Sequence, residues 1–355
     1  MNRSDPEATI LLTVYNGARW IRDALQSALG QERISYEILV IDDGSTDETS
    51  SILADIADQN PEAVRVKTIP RSGLSTARNV GFDAARGEFI TVIDADDMMH
   101  PLRCWCEVEG LRRFPEAVIC FSKRWNFHSG ETVGALRFKG SGLVGRDVMG
   151  YALIEDPITA LIRSGAHPGT SACTSRRTFS TGPGRYDESQ PSFVDGELWI
   201  RTMHSRSVVY CGVPLYFRRV HDESWSLTHP TRLANIQRAV DKARAHWADY
   251  SENQQDSLRA FERGVILGTA EGWIRAGRTS QALSLLLRRW RHLQGRRWAR
   301  ALRDALRGAG VDSGSEMFRE SGADAEASVG LDEILDLDVD TLLRADQDEG
   351  DAAER

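Results

Sequence analysis

The segment GEFITVIDADD, residues 87–97, decides the fold because it joins a buried strand to a cluster of acids. The run from Phe89 to Ile93 is apolar and β-branched, a pattern typical of a strand that is covered on both faces. Asp94, Asp96 and Asp97 follow directly. Carboxylates this close repel one another and burial raises their pKa values, so the cluster is costly unless a cation, a ligand or water solvates it. The alternative is a polar turn in which the last aspartate caps a helix.

Strand and helix patterns alternate around this segment over the first hundred residues. The predicted strands are ATILLTVYN (8–16), YEILVIDDGS (36–45), VRVKTIP (64–70) and EFITVIDADD (88–97), and the predicted helices are ARWIRDALQSALGQ (18–31), STDETSSILADIADQ (45–59) and LSTARNVGFDAARG (74–87). Alternation at this spacing predicts an α/β fold, with a parallel sheet and helices on both faces.

Three of the predicted strands end in polar or aromatic residues. Their ends are TVYNG (13–17), DDGSTD (42–47) and DADD (94–97). In an open parallel sheet ligands bind beyond the carboxyl ends of the strands, so these segments should share one rim. A flat aromatic side chain, a hydrogen-bond-accepting carboxylate and paired acids suit a nucleotide diphosphate, whose charge Mg²⁺ or Mn²⁺ would neutralise through oxygen ligands. Each motif alone could be an ordinary turn or cap.

Taken together in order, these motifs resemble the inverting family-two glycosyltransferases of the GT-A fold. The resemblance covers residues 8–228 and includes YDESQPSFVDGELWIRT (186–202) and LYFRRVHDESWS (215–226). It implies a Rossmann-like, mostly parallel sheet, a nucleotide-sugar donor, foremost a UDP-sugar, and Mn²⁺ or Mg²⁺ at the DxD motif. The sugar would pass with inversion to a hydroxyl of a glycan or lipid-linked glycan acceptor, and the usual setting is bacterial surface-polysaccharide biosynthesis.

The resemblance also assigns roles to residues of the first half. Thr13, Tyr15 and Asp43 match the residues that contact the donor base. Asp94 matches the acid that faces the ribose, and Asp96 matches the metal ligand. The first half is therefore expected to bind the nucleotide and its metal.

Four further residues match less specific positions of the family. Asp195 is expected to be the general base that takes the proton of the acceptor hydroxyl, with Glu197 as its rival. If this segment is helical, the two carboxylates do not share a face and only one should enter the cleft. Arg78 either supports the donor pocket or forms a structural ion pair. His221 either completes the coordination of the metal or diphosphate, or is structural.

The sequence departs from the family at identifiable places. Thr13 stands where proline is usual, Val194 stands where glutamate precedes the base, and Arg71 stands where asparagine is common. Arg71 would bring a cation near the donor's base or phosphates. Residues 121–193 depart most, and this is where the family's acceptor normally binds.

The chain divides by composition into three regions. Residues 1–228 form the expected catalytic domain, with a nucleotide-binding half (1–100) and an acceptor half (101–228). Residues 229–310 form a helical extension. Residues 311–355 hold fifteen acids against three arginines, so the rest of a chain whose net charge is −8 is positive overall. Such a tail is predicted to be disordered.

The arginine-rich segment 283–306, with Trp290 and Trp298, has two interpretations. It could lie on the anionic inner face of the plasma membrane as a peripheral contact, or it could pack as a helical hairpin with solvated arginines, which we favour. No stretch approaches the apolar length of a membrane span and the N-terminus lacks a signal pattern. We therefore expect a cytoplasmic protein, and the acidic balance argues against a nucleic-acid partner.

Two other functions use the same residue types. A nucleotidyltransferase or phosphatase also needs paired acids and a metal, and a non-catalytic nucleotide-sugar-binding protein would keep the fold without turnover. A phosphatase of the haloacid type would carry its acids at the end of the first strand, which here ends in TVYNG (13–17). An intact DxD motif together with Asp195 favours an enzyme over a binding protein.

Overall fold

A computed structural model describes residues 5–128, 150–162, 169–221, 232–289 and 296–308. The predicted acidic tail and Trp290 lie outside the described residues, as do parts of the predicted acceptor segment.

The first hundred residues form the predicted alternation. The elements are β1 (Ala8–Val14), α1 (Ile21–Leu29), β2 (Tyr36–Asp42), α2 (Thr49–Gln59), β3 (Val64–Thr68), α3 (Leu74–Ala84) and β4 (Phe89–Asp94). The strands pair in parallel in the order β3-β2-β1-β4. The α/β prediction for this half is therefore confirmed.

The second half extends the same sheet with a mixture of strand directions. Its elements are β5 (Met98–Met99), α4 (Arg103–Arg113), β6 (Ala117–His128), β7 (Tyr151–Ile154), β8 (Cys173–Arg176), α5 (Arg177–Ser180), α6 (Val194–Thr202) and β9 (Ser207–Val220). The order continues β4-β8-β6-β9-β5, with β7 also on β9. The β6 and β9 strands are parallel, and the other pairs of this half are antiparallel.

The sheet is covered on both faces, since every residue of β1 is buried whichever side it faces. Ile10 and Leu12 pack with α1 and α2 in one cluster, and Leu11 packs with α3 and α6 in another. A strand buried on both faces is expected of a parallel sheet with helices on both sides. This packing fixes α3 against β1, which matters below because α3 carries Arg78.

Four longer helices complete the described chain. They are α7 (Arg232–Ala245), α8 (Glu252–Arg275), α9 (Thr279–Arg288) and α10 (Arg296–Gly308). The chain divides into two compact units between Leu258 and Arg259, which is C-terminal to the predicted boundary at residue 228. The α7 helix therefore belongs to the first unit, where the amide of Asn235 donates to the Ser192 hydroxyl at 2.8 Å.

In the second unit, Trp298 is buried against its neighbours rather than exposed at a surface. Arg297, beside it, forms a two-contact ion pair with Glu271 at 2.8 and 2.9 Å. These two side chains therefore contact residues of their own unit, and the choice between the two interpretations of the arginine-rich segment stays a prediction. Among the described helices there is none whose length and apolarity would allow it to cross a membrane.

Gly87, just before β4, offers a test of the close approach between β4 and β1. A Cβ added there would lie 2.5 Å from backbone atoms of Ala8 and Thr9, which cannot rotate away. We expect Gly87→Ala to lower the free energy of unfolding by about 1–3 kcal/mol, as measured by urea denaturation. Gly264→Ala is the matched control, because a Cβ there meets no atom within 4 Å on the exposed side of α8. It should raise stability by up to about 1 kcal/mol, and equal effects of the two changes would contradict the packing argument.

Candidate active site

The strand register brings the predicted donor-site residues to one edge of the sheet. Thr13 of β1 pairs with Asp94 of β4, and Val14 pairs with Asp42 of β2. The loops that follow these three strands therefore begin side by side at one edge of the sheet. This is the carboxyl edge at which open α/β sheets bind ligands.

The loop after β1 is hydrogen-bonded to the loop after β2. The Asn16 side chain accepts from the backbone N–H of Thr46 at 2.8 Å, and the backbone N–H of Gly17 donates to the Thr49 hydroxyl at 2.9 Å. Asn16 adopts a left-handed backbone conformation with φ of 51°, which asparagine tolerates. These bonds fix the backbone that follows Tyr15, whose ring is exposed at the rim.

The two aspartates at the end of β2 have different surroundings. Asp42 is fully buried and accepts from the Ser45 N–H at 3.0 Å and the Ser50 hydroxyl at 2.7 Å, which ties it to α2. Asp43 instead turns to the loop before α3. Its Oδ1 accepts from the N–H and hydroxyl of Ser72 at 2.7 and 2.9 Å, and its Oδ2 accepts from the Gly73 N–H at 2.9 Å.

Arg71 lies directly on the predicted base site. Its guanidinium donates to Asp43 Oδ2 and stacks on Tyr15, with the guanidinium carbon 3.8 Å from the ring centroid. The buried hydroxyl of Thr13 has no hydrogen-bond partner in the described part of the chain. Tyr15 and Asp43 are thus brought together as predicted, and the residue that joins them is one that the sequence marked only as a departure.

Arg78 connects the donor side of the cleft to the acceptor side. One guanidinium nitrogen donates to Asp94 at 2.7 Å, and another donates to Asp195 at 2.9 Å and to the Tyr186 hydroxyl at 3.1 Å. Burial by itself would lower the pKa of this guanidinium, but the acidic groups around it raise the pKa above its usual value. Arg78 is therefore a fixed positive charge between two carboxylates.

The DxD aspartates form a tight cluster in which Asp97 is already engaged. Ligand oxygens of Asp94, Asp96 and Asp97 lie within 4.8 Å of one another. Asp97 is buried, accepts from the Tyr216 hydroxyl, and accepts from the backbone N–H of Arg219 at 2.8 Å. Its burial, with the charges of the other two aspartates, raises its pKa well above the usual range, although the bond from Tyr216 acts in the opposite direction.

The C-terminal end of β9 holds His221 against the DxD loop. The Nε2 atom of His221 is 2.9 Å from Asp96 Oδ2. Arg219 fixes this strand end, since its Nε donates to the Asp96 carbonyl at 2.9 Å and its guanidinium lies 4.3 Å from the Trp20 ring and bonds Asp23 at 3.0 Å. The two predicted metal ligands are therefore neighbours.

This donor set fits the predicted cation. Carboxylate oxygens are the ligands that Mn²⁺ and Mg²⁺ prefer, and an imidazole nitrogen is a common ligand of transition metals. Asp96 and His221 would hold the ion, with Asp94 nearby, whereas the bonds of Asp97 to β9 give it a structural part. We find no other group of three such ligands among the described residues.

The α6 helix separates the two candidate bases. Asp195 turns towards Arg78, as described above. Glu197 is buried on another side of the helix, pairs with Arg201 at 2.8 Å one turn on, and lies 3.9 Å from Lys242. The geometry therefore brings only Asp195 to the cleft, as expected of carboxylates two residues apart on a helix.

Sequence reasoning missed several side chains that support this site. Tyr186 bonds the predicted residue Arg78, and Tyr216 bonds Asp97 of the acidic cluster, yet nothing in their spacing distinguishes them from core tyrosines. Trp20, directly before α1, carries no signal in the sequence of its contact with Arg219. The one usable signal was the basic run RRV before His221, which contains Arg219.

Comparison with known proteins is consistent with this fold and site. Residues 9–157 match the family model described as "Glycosyl transferase family 2". The succinoglycan biosynthesis protein ExoO of Rhizobium meliloti (strain 1021) is 41% identical over 99 residues, which are 28% of this chain and 28% of that protein. The putative glycosyltransferase EpsH of Bacillus subtilis (strain 168) is 24% identical over 320 residues, covering 89% of this chain and 86% of that protein.

Solved structures give the same picture of the fold. The crystal structure of S. aureus TarS 1–349 in complex with UDP-GlcNAc superposes with a TM-score of 0.59 at 16% identity, covering 85% of this chain and 89% of that one. The mannosyltransferase PcManGT from Pyrobaculum calidifontis, in complex with GDP-Man and Mn²⁺, gives 0.54 at 17% identity, covering 88% and 77%. At these identities the likeness concerns the fold alone, and it confirms the fold class.

Arg78 should be essential to the stability of the cleft. Its replacement by methionine would leave Asp94 and Asp195 close together without the cation between them, and breaking a buried ion pair from one side typically costs about 3 kcal/mol or more. We expect Arg78→Met to lower the free energy of unfolding by about 3 kcal/mol in urea denaturation.

The matched control is Arg185→Met, because Arg185 pairs with Asp83 where both side chains are exposed. It should change stability by at most about 1 kcal/mol. If the two variants were equally stable, Arg78 would not be the cation on which the cleft depends.

Proposed function

We propose that this chain, whose residues 9–157 match the glycosyl transferase family 2 model, moves a sugar from a nucleotide-diphosphate sugar to a hydroxyl of a glycan or lipid-linked glycan. The observation that carries the proposal is the bridge through Arg78, which holds Asp94 and Asp195 at 2.7 and 2.9 Å. Asp94 lies beside the predicted donor residues, and Asp195 comes from the acceptor half. The bridge therefore joins the two substrate sides at one point.

We propose that Tyr15 and Asp43 bind the donor base. The exposed ring would stack on a base, and the carboxylate would accept a bond from a ring N–H. Uracil and guanine both offer such a donor. UDP-GlcNAc in TarS and GDP-Man in PcManGT are examples of donors of each kind bound to this fold. We propose a UDP-sugar as the donor of this chain.

The metal is proposed to be Mn²⁺ or Mg²⁺ held by Asp96 and His221. Their ligand atoms lie 2.9 Å apart, and the neighbouring Arg219 keeps the end of β9 beside the DxD loop. When bound, such an ion would neutralise the charge of the donor diphosphate and so assist its departure. Trp20 lies beside His221, with ring centroids 5.7 Å apart, and Arg219 lies over the same Trp20 ring, so both would orient His221 by packing.

Asp195 is proposed to be the general base, and transfer is proposed to proceed with inversion. Inversion requires the acceptor hydroxyl to attack from the side opposite the departing diphosphate, and a carboxylate within hydrogen-bond reach must take its proton. Arg78 fixes Oδ1 of Asp195. Oδ2 lies beside Gly169, where a Cβ would stand only 3.3 Å away. We assign Oδ2 to the acceptor proton, because Oδ1 is the oxygen that Arg78 engages.

The acceptor is proposed to belong to polysaccharide biosynthesis, in keeping with the succinoglycan biosynthesis to which ExoO belongs. The segment 121–193 is expected to bind it, and residues 129–149 and 163–168 of that segment lie outside the described residues. Peripheral contact with a membrane surface stays a prediction. Trp298 is buried within its own unit, so it does not present its side chain to a membrane surface.

Asp96 provides the test of the metal site. In Asp96→Asn the ligand loses its charge but keeps its size, so binding of UDP in the presence of Mn²⁺ should weaken by at least about tenfold in calorimetric titration. Binding with a chelator present should be equally weak in both proteins. Asp83→Asn, a change of the same kind at an exposed ion pair on α3, should bind like the unmodified protein. Undiminished Mn²⁺-dependent binding by Asp96→Asn would refute the assignment.

Asp195 provides the test of the base. We expect Asp195→Asn to bind UDP within about twofold of the unmodified protein but to lose about 10²-fold or more in turnover, measured as UDP released from a panel of UDP-sugars. Glu197→Gln is the comparison, since this rival carboxylate is bonded to Arg201 away from the cleft. It should retain turnover per folded molecule even if it lowers stability. Full turnover in Asp195→Asn would exclude Asp195 as the base.

A further inference from the structure

We propose that Arg71 occupies the nucleobase site of the unliganded enzyme and must leave it before a donor can bind. The inference rests on the proposed function, because it takes Tyr15 and Asp43 as the base-binding residues. The guanidinium contacts both residues at once, stacking on the ring at 3.8 Å and donating to the buried carboxylate. Arg71 is therefore a competitor of the base for the same two contacts.

The guanidinium resembles a base in the two properties that this site can recognise. It is flat and delocalised, so it stacks on an aromatic ring, and its N–H groups lie in its plane and donate to a carboxylate. A uracil or guanine ring that stacks on Tyr15 and donates a ring N–H to Asp43 would make the same pair of contacts. The side chain thus takes the place of the ligand.

The hydrogen bonds of Asp43 show why the two cannot bind together. Its two oxygens already accept four bonds, from the N–H and hydroxyl of Ser72, the N–H of Gly73 and the guanidinium of Arg71. A carboxylate offers about four lone-pair positions. A further bond from a base therefore requires one existing donor to leave.

Arg71 is the donor whose departure also uncovers the ring of Tyr15. The backbone donors Ser72 and Gly73 are set by the turn that begins α3, where Gly73 has a φ of 93°. The Arg71 side chain, in contrast, is 51% exposed and can move into water. Its backbone is held on both sides, because the Ile69 N–H donates to the Asp42 carbonyl at 2.9 Å and the Ser72 N–H donates to Asp43 at 2.7 Å. Displacement is therefore a movement of the side chain alone.

This competition lowers the apparent affinity for the donor. When only a fraction of the molecules have an open site, the apparent dissociation constant rises by the inverse of that fraction. An exposed ion pair and an exposed cation–π contact each contribute a modest free energy. Together they should lower the fraction of molecules with an open site by a factor of about ten. Arg71 also restricts entry to ligands that replace both contacts, namely flat bases with a ring N–H that reaches Asp43.

The experiment is calorimetric titration of UDP, with Mn²⁺ present, into the full-length protein and into Arg71→Ala. We expect Arg71→Ala to bind UDP about tenfold more tightly. Arg71→Lys keeps the charge but cannot stack as a plane, so its affinity should fall between the two. Inorganic pyrophosphate with Mn²⁺ lacks a base and should bind all three proteins equally. Thermal unfolding would establish that each variant is folded.

Arg112→Ala is the matched control for the loss of one positive charge. Arg112 is 42% exposed and pairs with Glu7 just before β1, at the other end of the sheet. Its loss should leave UDP affinity unchanged. Equal or weaker UDP binding by Arg71→Ala would overturn the proposal, since Arg71 would then be neutral or would contact the bound base. If neither UDP nor GDP bound the unmodified protein or any variant, the proposed function itself would fail.

Discussion

The cleft depends on one buried cation, the guanidinium of Arg78. Asp94 ends the fourth strand, β4, and Asp195 lies on α6, much later in the chain. Arg78 contacts their carboxylates at 2.7 and 2.9 Å, and without this charge between them the two carboxylates would repel each other. Arg78 can stand there because α3 is packed closely on β1, where Gly81 leaves room for Leu11. The tight packing of an ordinary α/β layer thus determines the relative position of the two proposed substrate sides.

A second constraint is the attachment of the end of β9 to the DxD loop. Tyr216 and the backbone of Arg219 engage Asp97, and the Arg219 guanidinium reaches the carbonyl of Asp96. This attachment places His221 beside Asp96. The consequence is a division of roles among neighbouring acids, in which Asp97 holds the loop and Asp96 faces the proposed ion. A buried carboxylate whose two oxygens each accept a bond from the protein is a poorer candidate for a metal ligand than the partly exposed Asp96.

The proposed base site follows the same rule at the end of β2. The carboxylate of Asp42 accepts a hydrogen bond from Ser50 of α2, whereas the carboxylate of Asp43 faces the loop that carries Arg71. The departure from asparagine at position 71 therefore acts on the contacts that a nucleobase would use. The exposed Arg71 makes both of these contacts itself. Tyr15 and Asp43 are therefore stabilised when no ligand is bound, and they remain available to a base that displaces the arginine.

The sequence by itself determined the alternation of strands and helices and the edge on which the motifs meet, because periodicity and strand ends are local properties of the chain. The candidates Thr13, Tyr15, Asp43, Asp94 and Asp96 came from the resemblance of these motifs to the family. The structure alone decided three matters. It showed that Asp195 rather than Glu197 reaches the cleft, that Arg78 joins the two halves, and that Arg71 covers Tyr15. Each depends on contacts between residues far apart in the chain, or on the direction of a side chain, and neither is encoded in spacing. The α7 helix likewise joined the first unit through contacts such as that of Asn235 with Ser192, which composition could not reveal.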